Sequence, residues 1–219
     1  MNARETFWDP AMTGTSTMAV SSATPASLSE STPTSPADAG LTRPLVLVGL
    51  MGAGKSSIGR RLAAKLGVPF ADADTEIEKA AGRTIPEIFE AFGEQEFRDG
   101  ERRVIRRLIE AGGSKVLATG GGAFMAEETR QLIKERALSL WLKADFDTLY
   151  ERVSRRSNRP LLKTADPKAT LKDLMVKRYP TYGEADLIVE TRRVPIEETV
   201  EKVYHALLDH LQREAASPS

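Results

Sequence analysis

The sequence predicts an α/β fold, a doubly wound five-stranded parallel sheet, and three observations predict it. From Leu45 onward, short apolar runs alternate with longer amphipathic stretches. The runs fall at 45–48, 68–72, 115–119, 138–142 and 186–190, and short apolar runs are what strands covered on both faces require. The first of them leads straight into Gly49-Leu50-Met51-Gly52-Ala53-Gly54-Lys55-Ser56, a G-x-x-x-x-G-K-S phosphate-binding loop that opens a helix.

Leu45 to Val48 reads as the first buried strand, and the stretch from Ser57 to Leu66 as a helix closed by Gly67. Between them, the glycines let backbone N–H groups close around phosphate oxygens. Lys55 brings positive charge to the outer phosphates, and the Ser56 hydroxyl is suited to a Mg²⁺ shell. The start of the helix faces the same anion. The chain is therefore predicted to bind a nucleoside triphosphate.

The second strand ends Phe70-Ala71-Asp72-Ala73-Asp74. Alternate strand residues share a face, so the two carboxylates are expected side by side. One is placed to hold Mg²⁺ and the other to accept a proton from a substrate hydroxyl. The competing reading makes Asp74 the N-cap of a helix beginning Thr75-Glu76-Ile77.

Residues 74–112 are too long for one crossover helix and are expected to form a small helical subdomain. Helical geometry sorts its arginines. Phe97, Val104, Ile105, Leu108 and Ile109 define an apolar arc. Arg98, Glu94 and Glu101 fall inside it, Arg102 at its edge, and Arg103, Arg106 and Arg107 outside. An inward arginine among glutamates is either an internal ion pair or an anion receptor.

Thr119-Gly120-Gly121-Gly122-Ala123 follows the third strand. Three glycines there either admit close backbone approach to a ligand or form a plain turn. Residues 157–168 lie between two helices and read as a mobile lid. Arg159 in that lid is suited to neutralising charge on a transferring phosphoryl group; elsewhere a loop arginine is merely solvated. On the following helix, Leu171, Leu174 and Met175 set the inward face. Arg178 lies near its centre, and Pro180 is expected to stop the helix. Two inward arginines from different helices, with Asp74, suggest a pocket for a hydroxylated carboxylic acid, since arginine binds carboxylate with two parallel hydrogen bonds. A structural ion pair is the competing reading for Arg178. The last helix starts at Pro195 and sets Ile196, Val200, Val203, Leu207 and Leu211 on one face.

Net charge is zero, from 31 basic and 31 acidic side chains, so nothing advertises a nucleic-acid partner. There is no cysteine, which suits a reducing cytoplasm, and no apolar run has the length of a membrane span. Residues 1–42 hold seven Ser, eight Thr and one basic residue, a composition expected to stay disordered, and residues 213–219 read as a shorter tail. The domain expected between them, 43–212, is taken to act as a monomer.

Together the stretches GLMGAGKSSIGRRLA, DAD, GEQEFR, TGGGA, NRPLL and KRYPTY resemble the shikimate kinases, over about Leu45 to Leu211. The resemblance implies a P-loop fold like that of the nucleoside monophosphate kinases. It also implies transfer of a phosphoryl group from ATP to the 3-hydroxyl of shikimate, in the pathway to aromatic amino acids. By that resemblance Gly52, Ala53, Gly54, Lys55, Ser56 and Ser57 hold ATP, and Ser56 and Asp72 serve Mg²⁺. Asp74 binds the shikimate hydroxyls and is the candidate base. Arg98, Arg178 and Gly121 bind the acid, with Glu101, Gly120 and Gly122 beside them. Arg159 is the lid arginine on the phosphates, and Arg155 the arginine packed on adenine. The long head and the Asp99-Gly100 pair depart from the family, a helical Gly costing about 1 kcal/mol relative to Ala.

Two rival readings remain open at this point. One is a kinase of the same core acting on another polyol acid such as gluconate, against which GEQEFR and the Arg98/Arg178 pair argue. The other is a silent nucleotide-binding module, against which the retention of Lys55, Ser56, Asp72, Asp74 and Arg159 argues.

Overall fold

The computed structural model describes residues 40–155 and 166–216. The head through residue 39, most of the expected lid including Arg159, and residues 217–219 lie outside the described residues. Five parallel strands, β1 (Leu45–Val48), β2 (Phe70–Asp72), β3 (Val116–Ala118), β4 (Leu138–Ala144) and β5 (Leu187–Thr191), form one sheet in the order β2-β3-β1-β4-β5. Every residue of β1 is buried although alternate ones point to opposite faces, so helices cover both sides. In register, Leu47 lies opposite Ala118 of β3 and Leu140 of β4.

Seven helices complete the described fold: α1 (Lys55–Leu66), α2 (Ala73–Ala81), α3 (Ile85–Glu110), α4 (Glu127–Arg136), α5 (Phe146–Ser154), α6 (Pro167–Tyr182) and α7 (Ile196–Ala216). Helix α1 packs on β3 and α7, α3 on α2 and α4, and α5 on α6. The segment 74–112 folds as α2 and α3 around its own apolar cluster of Ile77, Ile88, Phe97 and Val104. A capping box starts α3: Thr84 Oγ1 accepts from Glu87 N–H while Glu87 accepts from Thr84 N–H. The helix then kinks at Gly93, whose φ of 80° and ψ of 176° suit glycine alone.

Five expectations shift. The second strand starts at Phe70, after the Pro69 that cannot donate to a ladder. Residues 40–42 are not all tail: Leu41 is 3% exposed in the core, and its carbonyl accepts from Ser114 Oγ at 2.6 Å. At the other end α7 runs on to Ala216, and Arg213 there donates to the Asp209 carbonyl. Residues 167–168 belong to α6, because Asp166 caps it by accepting from Lys168 and Ala169 N–H, both at 3.0 Å. Pro180 does not stop α6, which continues to Tyr182; the turn it disrupts opens to solvent at Val176, 75% exposed.

Candidate active site

The phosphate loop runs from β1 into α1. Gly49, Gly52 and Gly54 hold positive φ values of 131°, 83° and 97°, the conformations that wrap the loop and that a side chain would strain. Lys55 is 8% exposed, and its Nζ donates to the carbonyls of Gly49 at 2.7 Å and Leu50 at 3.0 Å. The lysine thus staples the loop from within, aimed at the space the loop encloses. Gly52, Gly54, Lys55, Ser56 and Ser57 line a cleft of about 560 Å³. Ala53 does not: it is 1% exposed, and its N–H donates to the Leu50 carbonyl at 3.2 Å.

The far wall of this cleft comes from Ile196 and Thr199 of α7 and from Arg152 and Arg155. Sequence reasoning singled out Arg155 and missed Arg152. Arg155 is 76% exposed and pairs with Glu151 at 2.5 Å. Arg152 instead turns inward, its Nη1 lying 3.4 Å from both the Gly52 and the Ala53 carbonyls. A single arginine on a short helix gives no periodic signal that would have distinguished it.

Asp74 also lines the cleft, but not by the strand geometry expected. The strand ends at Asp72, which caps α2 by accepting from Asp74 N–H at 3.1 Å. The cap is therefore Asp72 rather than Asp74, and Asp74 sits in the first turn of α2. Asp72 is not among the lining residues.

A second cleft, of about 300 Å³, continues beyond the glycine loop, with Arg98, Arg102, Arg178, Glu101 and Gly122 in its wall. The two inward arginines of the sequence do converge. Arg98 donates to Glu101 at 2.7 Å and to Glu94 at 3.2 Å. Burial opposes its charge, but the two glutamates more than offset that and raise its pKa above the ordinary value. Arg178 donates through Nη1 to the Gly121 carbonyl at 3.0 Å, and among the described residues no carboxylate lies within ion-pair distance of it, although its charge is felt at Glu101. Glu101 is 2% exposed, and one of its oxygens, Oε1, has no hydrogen-bond partner among the described residues. Burial pushes its carboxyl above the ordinary range; Arg98 pulls it down, and the nearby Asp74 adds to the rise.

The glycines 120–122 each make room for something different. A Cβ on Gly120 would lie 2.6 Å from Glu101 Oε1 and 3.1 Å from Asp74 Oδ1. One on Gly121 would press on the phosphate loop at Met51 N, 3.2 Å away, and one on Gly122 would meet Arg98 Nη1 at 2.5 Å. The loop is thus a shared wall, touching the nucleotide-side cleft through Gly120 and Gly121 and the arginine cleft through Gly122. Tyr182, fully buried against Trp141 and Phe124, also donates to the Gly121 carbonyl. Burial pushes its phenol up to about 12, with Arg178 pulling the other way, so it stays a donor at any physiological pH. Nothing in the sequence distinguished it from an ordinary core tyrosine.

Known proteins resemble this chain. The family model described as shikimate kinase matches residues 51–208. A shikimate kinase of Rhodopseudomonas palustris is 61% identical over 169 residues, covering 77% of this chain and 83% of its own. One from Bradyrhizobium diazoefficiens is 59% identical over 175 residues, 80% of this chain and 84% of its own. Among solved structures, a shikimate kinase from Acinetobacter baumannii in complex with shikimate superimposes with a TM-score of 0.75 at 38% identity, over 80% of this chain and 97% of that one. A gluconokinase from Sinorhizobium meliloti, at 18% identity and a TM-score of 0.58, shares the fold alone. On the match over most of its folded length, the chain belongs to the shikimate kinase family.

Proposed function

We propose that this chain transfers the terminal phosphoryl group of ATP to the 3-hydroxyl of shikimate. One observation carries the reading beyond family membership. A phosphate-loop cleft and a cleft walled by Arg98 and Arg178 meet at one glycine loop, with the Asp74 carboxylate at the junction. The nucleotide lies in the first cleft and the acid in the second, its carboxylate between the two arginines.

The chain's own groups then have distinct tasks. Lys55 exchanges its carbonyl partners for the outer phosphates, and the loop N–H groups with the start of α1 hold their oxygens. Asp74 orients the attacking hydroxyl and takes its proton. Arg152, facing the cleft, packs on the nucleotide's base in place of the exposed Arg155. Arg159, from the lid expectation, neutralises charge on the transferring group. The residues also fit Mg²⁺: Ser56 on the cleft wall and Asp72 at the end of β2 are oxygen donors, the type this ion takes beside phosphates and its own waters. When bound, Mg²⁺ neutralises charge shared by the outer phosphates.

An assay of ADP release with ATP and Mg²⁺ tests the reading. Release that depends on shikimate and is negligible with gluconate is expected. Turnover of gluconate at a comparable rate, or no turnover with either acid, would overturn it.

A further inference from the structure

We propose that Arg130 is a positioning residue for the acid cleft, fixing the wall that carries Gly122 and Met125 against the helix that carries Arg178. The inference rests on the reading that shikimate occupies that cleft.

Arg130 lies in α4 and lines neither ligand cleft. Its side chain is only 15% exposed, unusual for an arginine on a peripheral helix. The planar guanidinium reaches in two directions. Nη1 donates to two successive carbonyls, Phe124 at 3.0 Å and Met125 at 2.9 Å. These belong to the short 3₁₀ turn Ala123–Met125 that follows the glycines, and Met125 and Ala126 stand in the wall of the arginine cleft. Nε lies 3.3 Å from Glu184 Oε2, an ion pair without hydrogen-bond alignment. Glu184 follows Gly183, the residue that caps α6 just past Tyr182. The remaining nitrogen, Nη2, is held by Glu127. One side chain therefore joins the turn at one wall of the cleft to the end of the helix that supplies Arg178.

The glycine loop itself has no side chains to hold its course. Its position comes from what grips its ends and carbonyls: Tyr182 and Arg178 on Gly121, the Ala123 and Met125 N–H groups of the 3₁₀ turn on Gly120 and Gly122, and Arg130, which holds that turn from downstream. Releasing the downstream grip lets Gly122 move relative to Arg98, which it contacts, and Arg178 move relative to both. Misplacing a bound acid by a fraction of an ångström weakens its two-pronged pairing with arginine. The phosphate loop, built on β1 and α1, does not depend on this grip, and Gly121, the glycine on its side, keeps the Tyr182 hydrogen bond.

The test is steady-state kinetics and direct shikimate binding for Arg130→Lys, Arg130→Met and Glu184→Gln, with Arg178→Ala alongside. Lysine keeps the charge but cannot serve both carbonyls and Glu184. Arg130→Met is expected to raise the KM and Kd for shikimate about tenfold, the scale of one lost charged hydrogen bond. Arg130→Lys and Glu184→Gln should give smaller rises in the same direction, while the KM for ATP stays within error for all three. If Arg178→Ala weakens shikimate and the three variants do not, or if they shift both substrates equally, the positioning role is wrong and Arg130 only stabilises the fold. If Arg178→Ala itself leaves shikimate binding normal, it is the placement of the acid that fails.

Discussion

Arg178 and Tyr182, one turn apart on α6, donate to a single acceptor, the carbonyl oxygen of Gly121. The arginine is thereby held at the cleft wall by backbone, leaving donors for a ligand carboxylate, while the tyrosine fixes the peptide from the core side. Arg178→Ala is expected to weaken shikimate binding by roughly tens-fold or more, the cost of losing one partner of a buried charged pair. Tyr182→Phe removes only the hydroxyl and is expected to weaken it about fivefold to tenfold. ATP binding should change little in either case, and calorimetric titration of each ligand checks this; parallel losses for both ligands would argue for a purely structural role.

Alanine scanning of the glycine loop should separate its two sides. In Gly122→Ala the new Cβ displaces Arg98, 2.5 Å away, so the shikimate KM rises about tenfold or more while the ATP KM holds. In Gly120→Ala the methyl meets Glu101 and Asp74, so kcat falls as well. Initial-rate kinetics varying one substrate at a time distinguishes the two patterns.

Glu101 makes stability depend on pH. Its folded-state pKa lies above the ordinary 4.5 because burial outweighs Arg98. Between those two values the folded chain binds the proton and the unfolded chain does not. Stability from this group is thus full below about 4.5 and is lost as pH rises through the folded-state value. In Glu101→Gln that loss is absent. Denaturant titrations at stepped pH should show the variant's unfolding free energy gaining on the parent's as pH rises from about 4.5; a constant difference would contradict the shift.

The two arginines of the nucleotide cleft should behave differently. Arg152 approaches the Gly52 and Ala53 carbonyls, whereas Arg155 is 76% exposed and paired with Glu151. Arg152→Ala is expected to raise the ATP KM about tenfold or more, and Arg155→Ala to leave it nearly unchanged, because exposed ion pairs contribute little. The reverse order would restore Arg155 as the base-packing residue.

What could be read from the sequence was what local backbone or helical periodicity dictates. The phosphate loop is a contiguous motif whose glycines impose their own geometry. The arc of α3 is a rotation of about 100° per residue, and it placed Arg98 and Glu101 inward and Arg103, Arg106 and Arg107 outward, all three now more than 40% exposed. The misjudged features were settled by competition between neighbours. Asp72 and Asp74 were read as strand partners, but a cap ended the strand at Asp72, two residues short of Asp74. Pro180 was read as a stop, but tertiary contacts on Tyr179 and Tyr182 carried the helix past it. Arg152 and Tyr182 reach carbonyls far away in sequence, and Arg130 pairs with the distant Glu184; a single chain carries no periodicity that reports such a partner.

Strands β1 and β3 are neighbours in the sheet, with Leu47 opposite Ala118 and Thr119 donating back to the Leu47 carbonyl. The phosphate loop leaves one strand and the glycine loop the other. The roots of the two loops are therefore one rung of a backbone ladder apart, about 4.8 Å, and no side chain sets that spacing. Substitutions in the arginines change how the acid is held above the sheet, but not the spacing of the strands from which the two loops spring. A version of this enzyme adapted to a bulkier acid would have to reshape the loops and the α2–α3 hairpin above the sheet, because the spacing below them is fixed by the fold.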